Sequence, residues 1–185
     1  MLYTRKGDAG TTKDFQSGPG VRKSKSSCQT EALGALDELN SFIGIVKMRC
    51  TDVSWDVNGK PPFEIVFWIQ NCLFSIQAEL AGADKRVGEA KIREMEVWID
   101  AMEAEMPPIK SFFISGGTEL AALFDVSRTL ARKAERRAVS ANDAGEVKTD
   151  PATLAFLNRL SSLLYALARL TNHKSGITEE PPTYS

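Results

Sequence analysis

Apolar residues recur at three- and four-residue intervals along five stretches of this chain, the spacing of one face of a helix. From Gln29 to Met48 the stripe is Leu36, Leu39, Ile43 and Val46. A turn at Asn58-Gly59-Lys60-Pro61-Pro62 precedes a second helix, predicted over Phe63 to Ala83, with Ile65, Val66, Ile69, Leu73, Ile76 and Leu80. The third, Ala90 to Met106, carries Ile92, Met95, Ile99 and Met102 and stops before Pro107-Pro108, because the residue ahead of a proline avoids the helical region. The fourth starts after Gly116-Gly117, with Thr118 as N-cap, and runs to about Val139. Asp150-Pro151, a cap followed by a proline at the first helical position, opens a fifth with Leu154, Leu157, Leu160, Leu164 and Leu167 on one face. No strand-like alternation competes. The expected fold is all-α, a five-helix antiparallel bundle behind an irregular N-terminal arm.

At 185 residues the chain is long enough for one domain with a proper core, divided here into an arm (1–28), a bundle (29–173) and a polar tail (174–185). A net charge of −1 gives no global basic field for nucleic acid. No apolar run approaches a membrane span, and the first residues lack a signal-peptide core, so the expected location is cytoplasmic. Cys28, Cys50 and Cys72 are odd in number and without CxxC spacing, which points to buried or free thiols, with neither a disulfide framework nor a zinc site.

Within this frame the fourth helix is chemically unusual. Arg128, Arg132, Glu135 and Arg136 fall at i, i+4, i+7 and i+8 and share a stripe, while Leu123, Ala131, Ala134 and Ala138 take other faces. Such a row is either a solvated ion-pair surface or a phosphate-binding one, since guanidinium offers a rigid bidentate fork. The first helix contains Gly34 and Gly44, each costing about 0.8–1 kcal/mol relative to alanine. A polar seam of Asp37, Asn40 and Ser41 lies between them, and close helix approach or a site explains the glycines equally. The fifth helix adds Asn158, Ser162, Tyr165 and Arg169 along one edge.

The segment Tyr3 to Thr12 holds two glycines, three threonines, an arginine, a lysine and an aspartate, with no apolar run. Its glycines permit tight turns, so backbone N–H groups, hydroxyls and cations can surround an anion such as a triphosphate. A plain turn-rich arm has the same composition. It is not a P-loop, because no G-x-x-x-x-G-K-[ST] is present. The lone His173 follows Leu170 rather than a glutamate, which removes a di-iron bundle, and histidine acid–base chemistry has no support. What the chain offers is positioning and electrostatics.

Together these blocks resemble the PduO-type ATP:cob(I)alamin adenosyltransferases. The family's T-R-x-G-D-x-G-T-T opening is matched by Thr4-Arg5-Lys6-Gly7-Asp8-Ala9-Gly10-Thr11-Thr12. Its R-V-x-K and E-A-x-G-x-x-D-E-L-N-S blocks are similar to Arg22 through Lys25 and Glu31 through Ser41. The F-x-x-P-G-G loop resembles Phe112 to Gly117, the R-x-x-x-R-[RK]-A-E-R signature fits Arg128 to Arg136, and L-N-R-L-S fits Leu157 to Ser161. Residues 50–110 fit only as generic helices.

The resemblance implies transfer of the 5′-deoxyadenosyl group of ATP to the cobalt of cob(I)alamin, with release of triphosphate, in a homotrimer whose sites lie between subunits. Thr4, Arg5, Gly7, Asp8, Gly10, Thr11, Thr12 and Lys25 would then fold over the nucleotide. Arg132 would meet the phosphates, with Glu135, Arg136 and Asn158 completing the pocket and Glu135 a ligand of Mg²⁺. Arg128 would pair with Asp37 at the subunit boundary. Phe112 would stand on the lower face of the cobalt, excluding its axial ligand.

Three places depart from the family pattern. Ser115 stands where proline is usual, Ser162 where many members have aspartate, and the stretches around Lys25 (17–20 and 26–30) differ. A non-catalytic ATP- or corrinoid-binding delivery or sensor protein would keep the same phosphate-binding residues and remains the alternative at this point.

Overall fold

A computed structural model describes residues 3–15 and 17–184; Gln16 and the outermost residues of the expected arm and tail lie outside the described residues. Five helices follow a two-stranded hairpin: β1 (Thr11–Thr12), β2 (Lys23–Ser24), α1 (Cys28–Arg49), α2 (Pro62–Leu80), α3 (Glu89–Glu105), α4 (Glu119–Asp143) and α5 (Pro151–Lys174). The helices are those the periodicity predicts, with shifted ends. Helix α1 begins at Cys28 because the Ser27 side chain accepts from the Thr30 N–H, and α4 continues past Val139 because Ala141 still packs into the core. The hairpin is an addition, for two residues per strand leave no alternation to read. It pairs Thr11 with Ser24 and Thr12 with Lys23 in antiparallel register.

Helix α4 packs between α1 and α5, α2 flanks α1, and α3 flanks α5. The Trp68–Trp98 pair closes the ring between α2 and α3, with centroids 5.0 Å apart edge to face, and Trp68 reaches Phe156 of α5 at 5.7 Å. The alanine face of α4 (Ala131, Ala134, Ala138, Ala141) is fully buried, so small side chains bring its backbone close to its neighbours. That leaves the opposite face of α4 for charge.

Acids in loops and neighbouring helices fix the helix ends. The buried Glu79 carboxylate of α2 accepts from the Asp150 N–H (2.7 Å) and the Thr153 hydroxyl (2.6 Å), placing negative charge at the N-terminus of α5. Glu146 does the same for α1, accepting from the Gln29 and Cys28 N–H groups at 2.9 and 3.3 Å. Those backbone bonds hold its carboxyl below the usual carboxylate range. Cys50 and Cys72 are free and buried, and burial pushes both thiols up to about 12. No helix among the described residues is long and apolar enough to cross a membrane.

Candidate functional site

The charges of α4 divide between two neighbours. Lys133 reaches Glu38 (2.5 Å) and Arg137 reaches Glu31 (3.6 Å), both on α1. On the other side, Arg128 pairs with Asp125 of its own helix at 3.3 Å and lies 5.8 Å above the ring of Tyr165 on α5. Further along the helix, Glu135 accepts from the Asn158 amide at 2.9 Å. Arg132 and Arg136 are exposed. Arg128, Arg132 and Glu135 of the predicted stripe therefore face the groove between α4 and α5. Burial raises the pKa of the Tyr165 hydroxyl above its ordinary value, with the charges of Arg169, Glu179, Asp125 and Arg128 acting in both directions.

A cavity of about 820 Å³ occupies this groove, walled by Arg128, Arg132 and Tyr165 on one side and by the α3–α4 loop, including Phe112, on the other. Phe112 is 82% exposed, whereas its neighbour Phe113 lies under the Arg169 guanidinium at 5.3 Å. The loop enters α4 through two glycines in the left-handed region, Gly116 (φ 126°) and Gly117 (φ 96°). Asn172 of α5 secures this turn, donating to the Gly116 carbonyl (2.8 Å) and accepting from the Thr118 N–H (3.1 Å). A methyl group on Gly117 would run into that amide.

The N-terminal arm folds back on itself. Arg5 takes a left-handed backbone (φ 59°), unusual for a side-chain-bearing residue, and lets the Asp8 N–H reach the Arg5 carbonyl at 3.3 Å. The Gly10 N–H then bonds the Gly7 carbonyl (3.1 Å), and the Lys25 N–H bonds the Gly10 carbonyl (2.9 Å). Gly7 leaves room for Lys25: a Cβ there would sit 3.2 Å from its ammonium. Arg22 clamps Thr11 twice at 2.8 Å, at the hydroxyl and at the carbonyl. The residues Thr4, Arg5, Gly7, Asp8, Gly10, Thr11, Thr12 and Lys25 thus form one compact turn with cations on its flank.

The arm is anchored at its base by Asp14, whose side chain is 7% exposed and meets Lys23 at 2.6 Å. Burial would raise this carboxyl, but the bonds from Lys23 and from Ser17 outweigh it and lower its pKa to about 2. Phe15 adds a backbone bond to the Ala81 carbonyl at 3.3 Å.

A second cavity, about 740 Å³, lies between the arm, α1 and α2 and is bordered by Thr12, Lys23, Gly34, Asp37 and Phe74. At Gly34 an added Cβ would meet nothing within 4 Å, so this glycine opens onto the cavity and the close-approach explanation fails there. Asn40 of the seam is buried, while Asp37 and Ser41 are exposed. Asp37 and Arg128 border different cavities and are not brought together within the chain. Among the described residues no three His, Cys, Asp or Glu side chains cluster as a metal cage. Glu135 supplies one carboxylate beside the arginines. That suits Mg²⁺, which usually takes one or two carboxylates and completes its shell with phosphate oxygens and water.

Apart from the hairpin, the sequence reading missed Asp125, Asn172 and the role of Arg169. Arg169 is 5% exposed despite sitting on the polar edge of α5. No sequence signal marks it, because its partner Glu179 lies in the tail beyond the helix.

A helical bundle with an arginine-lined groove and a glycine-rich arm suits a protein that binds anionic nucleotides. The family model described as cobalamin adenosyltransferase matches residues 2–171. A corrinoid adenosyltransferase of Bacillus subtilis is 37% identical over 184 residues, covering 95% of this chain and 89% of that protein. The corrinoid adenosyltransferase PduO of Salmonella typhimurium is 38% identical over 189 residues, covering 97% of this chain, which spans 53% of that protein's length. Among solved structures, a variant PduO-type ATP:corrinoid adenosyltransferase from Lactobacillus reuteri, complexed with cobalamin and ATP, superposes with a TM-score of 0.85 at 28% identity, covering 98% of this chain and 96% of that one. A second variant of that enzyme, complexed with ATP, gives 0.84 at 29% identity, covering 98% of this chain and 100% of that one. The chain belongs to the PduO-type corrinoid adenosyltransferase family, whose members move the adenosyl group of ATP onto cob(I)alamin.

Proposed function

We propose that this chain carries out that transfer with the residues assembled above, and that the junction of unlike walls in the α4–α5 cavity is the observation that carries the reading. One wall is cationic (Arg128, Arg132) and suits a triphosphate; the other presents the exposed ring of Phe112 and suits the flat apolar face of a corrin. Cobalt in the Co(I) state is itself the nucleophile, so the protein supplies no attacking group. Its electron pair forms the Co–C5′ bond as the C5′–O5′ bond breaks, and the bonding pair leaves with the triphosphate while cobalt becomes Co(III).

The residues then have separate roles. Arg132 and Arg136 receive charge that grows on the leaving triphosphate. Asn158 fixes the Glu135 carboxylate, which would hold Mg²⁺ beside the phosphates. When bound, that ion would supply positive charge that offsets the charge of the phosphates. The arm, with Thr4, Arg5, Gly7, Asp8, Gly10, Thr11, Thr12 and Lys25, closes over the nucleotide and holds C5′ in line with cobalt. Phe112 covers the lower face of the corrinoid and keeps an axial ligand away.

The arm and the arginine groove open on different sides of one bundle, and α4 turns Arg128 toward α5 rather than toward the cavity of Asp37. The Asp37–Arg128 pair that the family resemblance implies would therefore have to join two copies of the chain, in keeping with a homotrimer whose sites lie at its boundaries. Sedimentation tests this: Asp37→Arg should dissociate the assembly and mixing it with Arg128→Asp should restore it.

The reaction is tested anaerobically with ATP and chemically reduced cobalamin, following adenosylcobalamin by its visible spectrum. Product formation is expected. Tight ATP binding without product would instead establish the delivery or sensor reading.

A further inference from the structure

The cavity wall that carries Phe112 is held from behind by the C-terminal tail. Arg169, buried in α5, sends Nε to the Glu179 carboxylate at 2.9 Å, and its Nη2 to the Pro107 carbonyl at 3.1 Å. The same guanidinium covers Phe113. Beyond Glu179, the Glu180 carbonyl accepts from the Ile114 N–H at 2.9 Å. The tail is itself turned back by the bond from the Ile177 N–H to the Asn172 carbonyl at 3.0 Å. The contacts close a ring: Arg169, Glu179, the Glu180 backbone, Ile114, Phe113 and Arg169 again.

Phe112 adjoins this ring without packing of its own. The residues directly following it, Phe113 and Ile114, are the ones secured, while Ile109, Phe112 and Ile114 leave half or more of their surfaces exposed. An exposed aromatic holds one orientation only if its backbone is fixed, and three of the loop's fixing contacts come from Arg169 and the tail. The Arg169–Glu179 pair can provide that hold, since its side chains are 6% and 17% exposed and water and salt screen it weakly. Ser115 adds to the need, because serine lacks the fixed φ that proline imposes on a loop.

We infer that Glu179 and Arg169 form a clasp through which the C-terminal tail positions the Phe112 loop, making Glu179 a positioning residue for the corrinoid side of the reaction. The inference rests on the adenosyltransferase reading for its kinetic consequence, but the clasp itself is read without any turnover.

Two measurements separate these. In Glu179→Ala, trypsin should cut after Lys110 in the freed loop about tenfold faster than in the parent, measured well below the variant's own thermal midpoint, which should fall because Arg169 is left buried without its partner. In turnover, KM for ATP should stay within about twofold while kcat falls about tenfold when an added one-electron reductant must convert the bound Co(II) corrinoid to Co(I), and by less than about threefold with pre-reduced cob(I)alamin. Glu179→Gln keeps an acceptor oxygen and should recover most of both effects; if the alanine variant fails to fold, the full chain carrying Glu179→Asp, whose carboxylate is one methylene short of Arg169, should show both effects in weaker form.

Unchanged cleavage at Lys110 overturns the clasp, and so does a loss shared equally by ATP KM and both corrinoid assays. A parent chain that lacks transferase activity while the trypsin result holds would sink the function and leave the clasp standing.

Discussion

The Glu135 carboxylate of α4 accepts a hydrogen bond from the Asn158 amide of α5 at 2.9 Å, so the single acid between Arg132 and Arg136 is oriented by the neighbouring helix. Without Asn158 the carboxylate is free to swing onto either arginine and neutralise the charge meant for phosphate.

Asn158→Ala should accordingly weaken nucleotide binding. We expect KM for ATP to rise about tenfold with a smaller change in kcat, read from steady-state kinetics at saturating corrinoid. Asn158→Asp should cost more, since it sets a second carboxylate against Glu135.

Arg132→Ala should reduce kcat/KM by about 100-fold or more, as loss of a charged donor to a leaving group does. Because Arg132 is exposed, its thermal midpoint should move by no more than about 2 °C. A collapse of the fold in calorimetry would instead mark the residue as structural.

The anchor of the arm should titrate. With a folded pKa of about 2 against an ordinary 3.8, Asp14 contributes stability that is fully present above about pH 5 and disappears as the pH falls from about 4 to about 2. Asp14→Asn should be less stable than the parent at neutral pH, and the two denaturation curves should converge toward pH 2.

Gly117→Ala tests the turn into α4. It combines a left-handed backbone with the space already filled by Asn172, so it should destabilise the protein by about 1–3 kcal/mol in urea unfolding. Turnover should fall with it, because the Phe112 loop shares that turn.

Thiol labelling gives an independent check of the core. Burial that pushes Cys50 and Cys72 to about 12 should leave them inert to a disulfide reagent in the native protein at pH 8, and only Cys28 should react quickly.

The helices were legible because burial repeats along each of them: Leu36, Leu39 and Ile43 announce α1, and Asp150-Pro151 announces α5. The arginine stripe was legible for the same reason, since position on a helix fixes face. The hairpin was not, because Thr11–Thr12 and Lys23–Ser24 are too short to alternate, and their pairing depends on turns at Gly7 and Gly10. Gly34 could be read as packing or as site until its surroundings were known. The clasp was invisible: Arg169 and Glu179 stand ten residues apart on a helix and in a tail, and only the tail's reversal at Asn172 brings them together.

The arm with Asp37 and the groove with Arg132 lie on different sides of each bundle. In the homotrimer proposed above, every reaction centre would be a joint product of two polypeptides. A chain disabled in the arm and a chain disabled at Arg132 would each be inactive alone. If neighbours share sites as proposed, mixing and reassembling the two would regenerate centres in which both halves are intact, and two null alleles would complement one another.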